Sequence, residues 1–155
     1  MTPAEIHGKL KEKFGDAVAF VEDAGEPWVR VKPAALVEVC RWLRDSREFA
    51  FDYLMSVGGV DYPERMESVI HLHSTTLNHR IVVKVDAPRE KSEVPTVEGV
   101  WPAANWHERE TYDLLGIVYT GHSDLRRILL PEDWVGFPLR KDYKFPREYR
   151  GIPLQ

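Results

Sequence analysis

ESVIHLHSTTLNHRIVVKV, residues 67–85, decides the fold. Ile70 and Leu72 alternate with His71 and His73, and beyond a tight polar loop around Asn78, Ile81, Val83 and Val85 alternate with Val82 and Lys84. A period of two sends successive side chains to opposite faces, so both runs read as strands of a half-buried meander. Phe51 to Val60 is a third β-prone run just upstream. Further back, Pro33 opens a helix in which Leu36, Val39, Cys40 and Leu43 fall at i, i+3, i+4 and i+7, one buried stripe that takes in the thiol. Val18 to Val21 and Trp28 to Val31 are two short strands separated by the turn residues Asp23, Gly25 and Pro27. At the start, Thr2 and Glu5 fit a capping box, Pro3 suits the first helical position, and Ile6, Leu10 and Phe14 repeat every four residues, which predicts a helix over 3–14.

Downstream, residues 86–99, DAPREKSEVPTVEG, read as an exposed charged loop. Asn105 is a candidate cap, Glu108 follows three residues later and Gly116 is a stop, so 106–115 reads as a short helix. Pro131, Pro138, Pro146 and Pro153 then exclude a long helix or a central strand. The expected fold class is α+β: a mixed or mainly antiparallel sheet with helices packed on one face, spanning 1–130, and an extended proline-rich tail over 131–155.

The chain has 155 residues, 43% of them hydrophobic and 11% aromatic, enough for one domain with a real core. A single cysteine excludes an internal disulfide framework and a cluster or zinc ribbon ligated by cysteines of this chain alone. The uncharged run Leu114 to Ser123 falls far short of the roughly 18 apolar residues of a membrane span, and MTPAEIHGKLKEKF lacks the apolar core of a secretory signal. A soluble chain in a reducing compartment is expected. The net charge of −4 argues against nucleic-acid binding. Residues 121–155 nonetheless carry seven Lys/Arg against five Asp/Glu, while the rest carries 14 against 20, so the C-terminal quarter is a different surface.

His71 and His73 would share a strand face, as some metal sites require, but no third ligand accompanies them. His107-Glu108-Arg109-Glu110 lacks the second histidine of a zinc-peptidase helix, since Thr111 stands at that position. The same helix offers Arg109 with Asp113 four residues on, and Glu110 toward Trp106 and Asp113; two adjacent arginines, Arg126 and Arg127, follow between aliphatics. Arginine's planar fork suits fixed carboxylate pairing, so a buried or interfacial Arg/Glu/Asp network locking helix 106–115 to the next loop is expected. Trp134, Phe137 and Leu139 beside Arg140 and Lys141 read as a protein interface. Acidic neighbours Glu132, Asp133, Asp142 and Glu148 weigh against an anionic-lipid or phosphate patch.

ERETYDLLGI at 108–117, Gly121-His122, DLRRIL at 124–129, Gly136 and PLRKDY at 138–143 together resemble the C subunit of the proton-pumping NADH:quinone oxidoreductase, respiratory complex I. Ser123 stands where that family usually has proline, and Phe137 where it often has histidine. The resemblance implies a non-catalytic core subunit of the peripheral arm, docked beside the D subunit and neighbouring iron–sulfur subunits on the cytoplasmic face of the membrane. FMN, iron–sulfur clusters and quinone would belong to those partners, with none in this chain. Glu108, Arg109, Glu110, Asp113, Gly121, His122, Asp124, Arg126, Arg127, Arg140, Lys141 and Asp142 carry over as partner-binding or structural motif positions. The alternatives are the equivalent subunit of a membrane-bound hydrogenase complex and, in a different class, a stand-alone metal-dependent hydrolase using His71 and His73.

Overall fold

A computed structural model describes residues 1–22 and 25–154. The first helix, α1 (Pro3–Phe14), begins at the expected capping box: the Thr2 hydroxyl accepts from the Glu5 N–H, and the Glu5 carboxylate accepts from the Thr2 N–H. Its stripe buries Ile6 and Leu10. β1 (Val18–Val21) and β2 (Trp28–Val31) pair antiparallel; Asp23 of the intervening turn lies outside the described residues. Pro33 starts a short 3₁₀ turn ahead of α2 (Leu36–Asp45), whose Leu36, Val39, Cys40 and Leu43 are wholly buried.

β3 (Tyr53–Asp61), β4 (Arg65–Ser74) and β5 (His79–Pro88) form the meander. The five strands lie in the order β1-β2-β5-β4-β3, with β2 parallel to β5, so the sheet is mixed. Met66, Ile70 and Leu72 of β4 and Ile81, Val83 and Val85 of β5 join the buried faces of the helices in one core. The opposite face carries charge instead. There Lys84 lies 3.4 Å from Glu67, and Asp86 is 3.3 Å from Arg30 and 3.2 Å from Arg65.

Residues 86–99 are not the exposed loop that their charges and prolines suggest. β5 runs on to Pro88, and β6 (Glu93–Pro95) pairs in parallel with β7 (Val118–Thr120), burying Val94, Val97 and Val100. The apolar spacing is sparse, and the partner strand lies more than twenty residues away. Helix α3 (Ala104–Leu115) starts earlier than expected and has no side-chain cap, because Ala103 stands at its N-cap; Asn105 lies inside the first turn, where its amide donates to Glu98 at 2.6 Å. Gly116, at φ 74°, ends it in the left-handed conformation that glycine adopts without strain. α3 crosses β3 at Gly59, where a Cβ would lie 2.7 Å from Leu115 Cδ1 and 2.9 Å from Thr111 Cγ2. Beyond Leu130 the chain forms a series of turns, at Pro131–Trp134, Phe137–Arg140 and Arg140–Tyr143, and closes in a small hairpin of β8 (Glu148–Tyr149) and β9 (Ile152–Pro153). Proline here punctuates turns rather than stiffening an extension.

Candidate functional site

Asp113 sits on the buried side of α3 and is completely enclosed. Its Oδ1 accepts from Arg127 Nη1 at 2.8 Å, and its Oδ2 accepts from the backbone N–H groups of Ile128, Leu129 and Leu130 at 3.0, 2.7 and 2.9 Å. One carboxylate therefore fixes four consecutive residues of an otherwise irregular segment. Burial works against ionisation, yet the Leu130 N–H, the Arg127 guanidinium and the Leu129 and Ile128 N–H groups outweigh it and hold Asp113 below the usual carboxylate range. Arg127 uses its remaining donors on the Trp134 and Gly136 carbonyls, at 3.1 and 2.9 Å. Arg140 donates from Nε to the Leu115 carbonyl at 2.7 Å, and both guanidiniums lie over the Phe137 ring.

Glu108 is equally enclosed, one and a half helical turns earlier. It accepts from the Thr96 hydroxyl and from the Val97 N–H at 2.8 Å. No Lys or Arg among the described residues forms an ion pair with it; its titratable neighbours are His122, with Nε2 at 3.9 Å, and behind it Glu98, 3.6 Å from the same nitrogen. Burial raises the Glu108 carboxyl to about 7, with the Thr96 and Val97 hydrogen bonds opposing and the Glu98 charge adding to the rise.

A third buried carboxylate, Asp61 at the end of β3, anchors the last part of the motif. It pairs with Arg89 and accepts from the Lys141 N–H at 2.7 Å, while Arg89 reaches Asp142 at 2.8 Å. Neither Asp61 nor Arg89 is legible as a site residue, because each meets the motif only through tertiary folding. The same holds for Thr96 and Glu98.

The structure sorts the motif positions by face. Glu108, Asp113, Arg127 and Arg140 point inward, and the His122 side chain is fully enclosed. Arg109 is 5% exposed, but it does not pair with Asp113; its guanidinium lies over the Trp106 ring at 4.7 Å and its Nε approaches the Arg126 carbonyl at 3.4 Å. Glu110 is exposed and so faces away from buried Asp113. The two neighbouring arginines divide: Arg127 turns in, while Arg126 stays at the surface with Asp124 at 2.9 Å. Gly121 holds a turn at φ 83°. His71 hydrogen-bonds Ser56 at 3.1 Å, and no group of three or more metal-ligating side chains is assembled among the described residues.

Around this scaffold, Trp106, Leu129, Val135, Leu139, Phe145 and Ile152 are all more than half exposed. Among the described residues no helix is long and apolar enough to cross a membrane.

A family described as the 30 kDa subunit of respiratory-chain NADH dehydrogenase matches residues 29–149. The chain is 47% identical over 150 residues to the C subunit of NADH-quinone oxidoreductase from Chlorobium phaeobacteroides, covering 94% of this chain and 90% of that one. It is 46% identical over 143 residues to the C subunit of the same enzyme from a Roseiflexus species, covering 90% and 82%. Among solved structures it resembles a trypsin-resistant fragment (1–134) of Nqo5, with TM-score 0.64 and 30% identity, over 77% of this chain and 98% of the fragment. It also resembles a chain of an archaeal respiratory membrane complex, the membrane-bound sulfane sulfur reductase, with TM-score 0.75 and 26% identity over 91% and 85%.

Proposed function

Because the chain belongs to the 30 kDa subunit family of respiratory-chain NADH dehydrogenase, we propose that it is a non-catalytic core subunit of the peripheral arm of a proton-translocating NADH:quinone oxidoreductase. The observation that carries this reading is the fate of the three buried carboxylates, two from the motif and one, Asp61, from β3. Asp113 is spent on Arg127 and three backbone N–H groups and Asp61 on Arg89 and the Lys141 N–H, so the two fasten residues 127–130 and Lys141 to the domain, while Glu108 ties the Thr96 hydroxyl and the Val97 N–H to α3. The frame presents Trp106, Leu129 and Leu139 together with the exposed charges Glu110, Asp124 and Arg126 to a partner.

The partner of this face is the quinone-binding D subunit, with iron–sulfur subunits beside it, and residues 131–155 are its docking segment. Flavin, clusters and quinone sit in those partners, and the assembly lies on the cytoplasmic face of the membrane. The domain's contribution is rigidity: electron transfer between fixed centres needs their spacing held, and a hydrogen-bonded clamp supplies that without chemistry of its own. Inward motif residues hold the clamp, and outward ones read the partner.

A second reading keeps the same docking role within a related membrane complex. The likeness to the sulfane sulfur reductase chain favours it, and a membrane-bound hydrogenase is its other form. Affinity capture of the tagged chain from native membranes, with mass spectrometry and an NADH:quinone assay on the eluate, separates the two. Flavin and iron–sulfur subunits with that activity support the first reading. Iron–sulfur partners without NADH oxidation support the second, and recovery of the chain alone overturns both.

A further inference from the structure

Two carboxylates and one imidazole meet where α3, the 96–98 loop and the 121–124 turn come together, and among the described residues no Lys or Arg pairs with the group. The carboxylate of Glu98 accepts from the Asn105 amide at 2.6 Å and from both the N–H and the hydroxyl of Ser123. Burial opposes its ionisation, but these donors hold it below the usual range. Glu98 is therefore already served as an anion.

His122 is not free to take up the charge. Its Nδ1 accepts from the Asp124 N–H at 3.0 Å, and its Nε2 lies 3.1 Å from the Asn105 carbonyl. That pattern assigns the neutral tautomer with the proton on Nε2, and a second proton on Nδ1 would break the bond that shapes the 121–124 turn. The remaining polar neighbours are also uncharged: Thr96 on the loop, Cys40 from α2 and Tyr119 from β7, whose thiol and phenol burial raises well above their ordinary values, with a further rise from the Glu108 charge. Thus among the described residues no side chain packed against Glu108 neutralises it, and its partner Thr96 can either donate to a carboxylate or accept from a carboxyl.

We infer that Glu108, Glu98 and His122 form a buried proton-binding latch, in which one proton held on Glu108 keeps α3 tight against the 96–98 loop and the 121–124 turn, and its loss loosens that junction. The equilibrium involves one proton exchanged with solvent and no bond other than the carboxyl O–H. Any consequence for partner docking rests on the function proposed above. The latch itself is read on the free chain, so each can fail without the other.

The test is a carboxyl-carbon NMR titration of the full chain, labelled at glutamate, from pH 4 to 9. The expected result is one glutamate midpoint near 7, absent in Glu108→Gln, with the amide signals of Val97 and Asp124 following the same midpoint in the wild type. Glu98→Gln is expected to move that midpoint downward, because it removes the neighbouring negative charge; this variant keeps the inference testable if Glu108→Gln does not fold. A Glu108 midpoint at the ordinary value of 4.5 overturns the latch. So does a neutral-range midpoint that appears on the His122 ring carbons instead, or amides of Val97 and Asp124 that stay flat through it.

Discussion

Asp113 and Glu108 occupy the same helix, are equally enclosed, and behave as opposites. Asp113 has a guanidinium and three N–H donors, whereas Glu108 has one hydroxyl, one N–H and a second carboxylate nearby. Lack of surface exposure alone therefore does not set the charge of a buried acid; the depth at which it lies and the donors supplied to it do. The first residue is a rivet that stays ionised at neutral pH, and the second is a group that titrates there.

The comparison is broken most severely at Arg127. Arg127→Ala leaves Asp113 enclosed without its cation and frees the Trp134 and Gly136 carbonyls. Removing one partner of a buried pair costs about 3–5 kcal/mol, so urea unfolding of this variant is expected to show a loss of that order. Amides 128–130 should lose protection from hydrogen exchange at the same time. A loss below about 1 kcal/mol, the worth of an exposed pair, would mean that the backbone donors alone suffice to hold Asp113.

Next comes the pH dependence, where the two acids have opposite signs. Glu108 is raised in the fold from 4.5 to about 7, so its contribution is complete below pH 4.5 and is lost as the pH rises through about 7. Asp113 is lowered, so its contribution is present above the ordinary carboxylate value and is lost as the pH falls through its depressed one. In Glu108→Gln the alkaline-side loss, on the order of 3 kcal/mol between pH 4.5 and 8, should vanish while the acid-side loss remains. Thermal unfolding across pH 3–8 shows both limbs. An unchanged alkaline limb in the variant would assign that limb to another group.

How much of this was legible in the sequence follows from the range of each interaction. The stripe Leu36, Val39, Cys40, Leu43 and the alternation around Asn78 are local periodicities, and the elements they imply are present. The Arg/Asp lock between α3 and the following loop was also legible in kind, since Asp113 and Arg127 lie only fourteen residues apart. Which of two adjacent arginines turns inward was not, because an irregular segment has no period to set the facing of its side chains. Asp61 meets Lys141 across 80 residues, and Val94 pairs with Tyr119 from a stretch that charges and prolines disguise as loop. Contacts of that kind leave no trace in spacing.

A smaller change sharpens the difference between the two acids. Thr96→Val removes the hydroxyl that serves Glu108 and leaves the Asp113 site untouched. The cost expected is about 1–3 kcal/mol, the worth of two neutral hydrogen bonds, because the hydroxyl also accepts from the Glu98 N–H. Since that bond lowers the Glu108 carboxyl, its midpoint should rise further in the variant. A midpoint that falls instead would show that Thr96 chiefly accepts from the protonated acid.

The smallest effect on folding is expected at Arg126, and that smallness is what separates a residue that holds the clamp from one that reads a partner. Its ion pair with Asp124 is exposed on both sides, at 67% and 50%, where solvent screens the attraction and such pairs contribute little. Arg126→Glu should therefore leave the unfolding curve of the free chain nearly superimposable on the wild type. Its charge nonetheless faces outward beside Trp106 and Leu129, on the surface proposed to meet the quinone-binding partner. Capture of partner subunits from membranes is expected to fall sharply while the free chain stays folded, the reverse of a defect that begins in the interior. Intact capture with lost quinone reduction would instead give Arg126 a part in turnover, and the division between inward and outward motif residues would no longer hold.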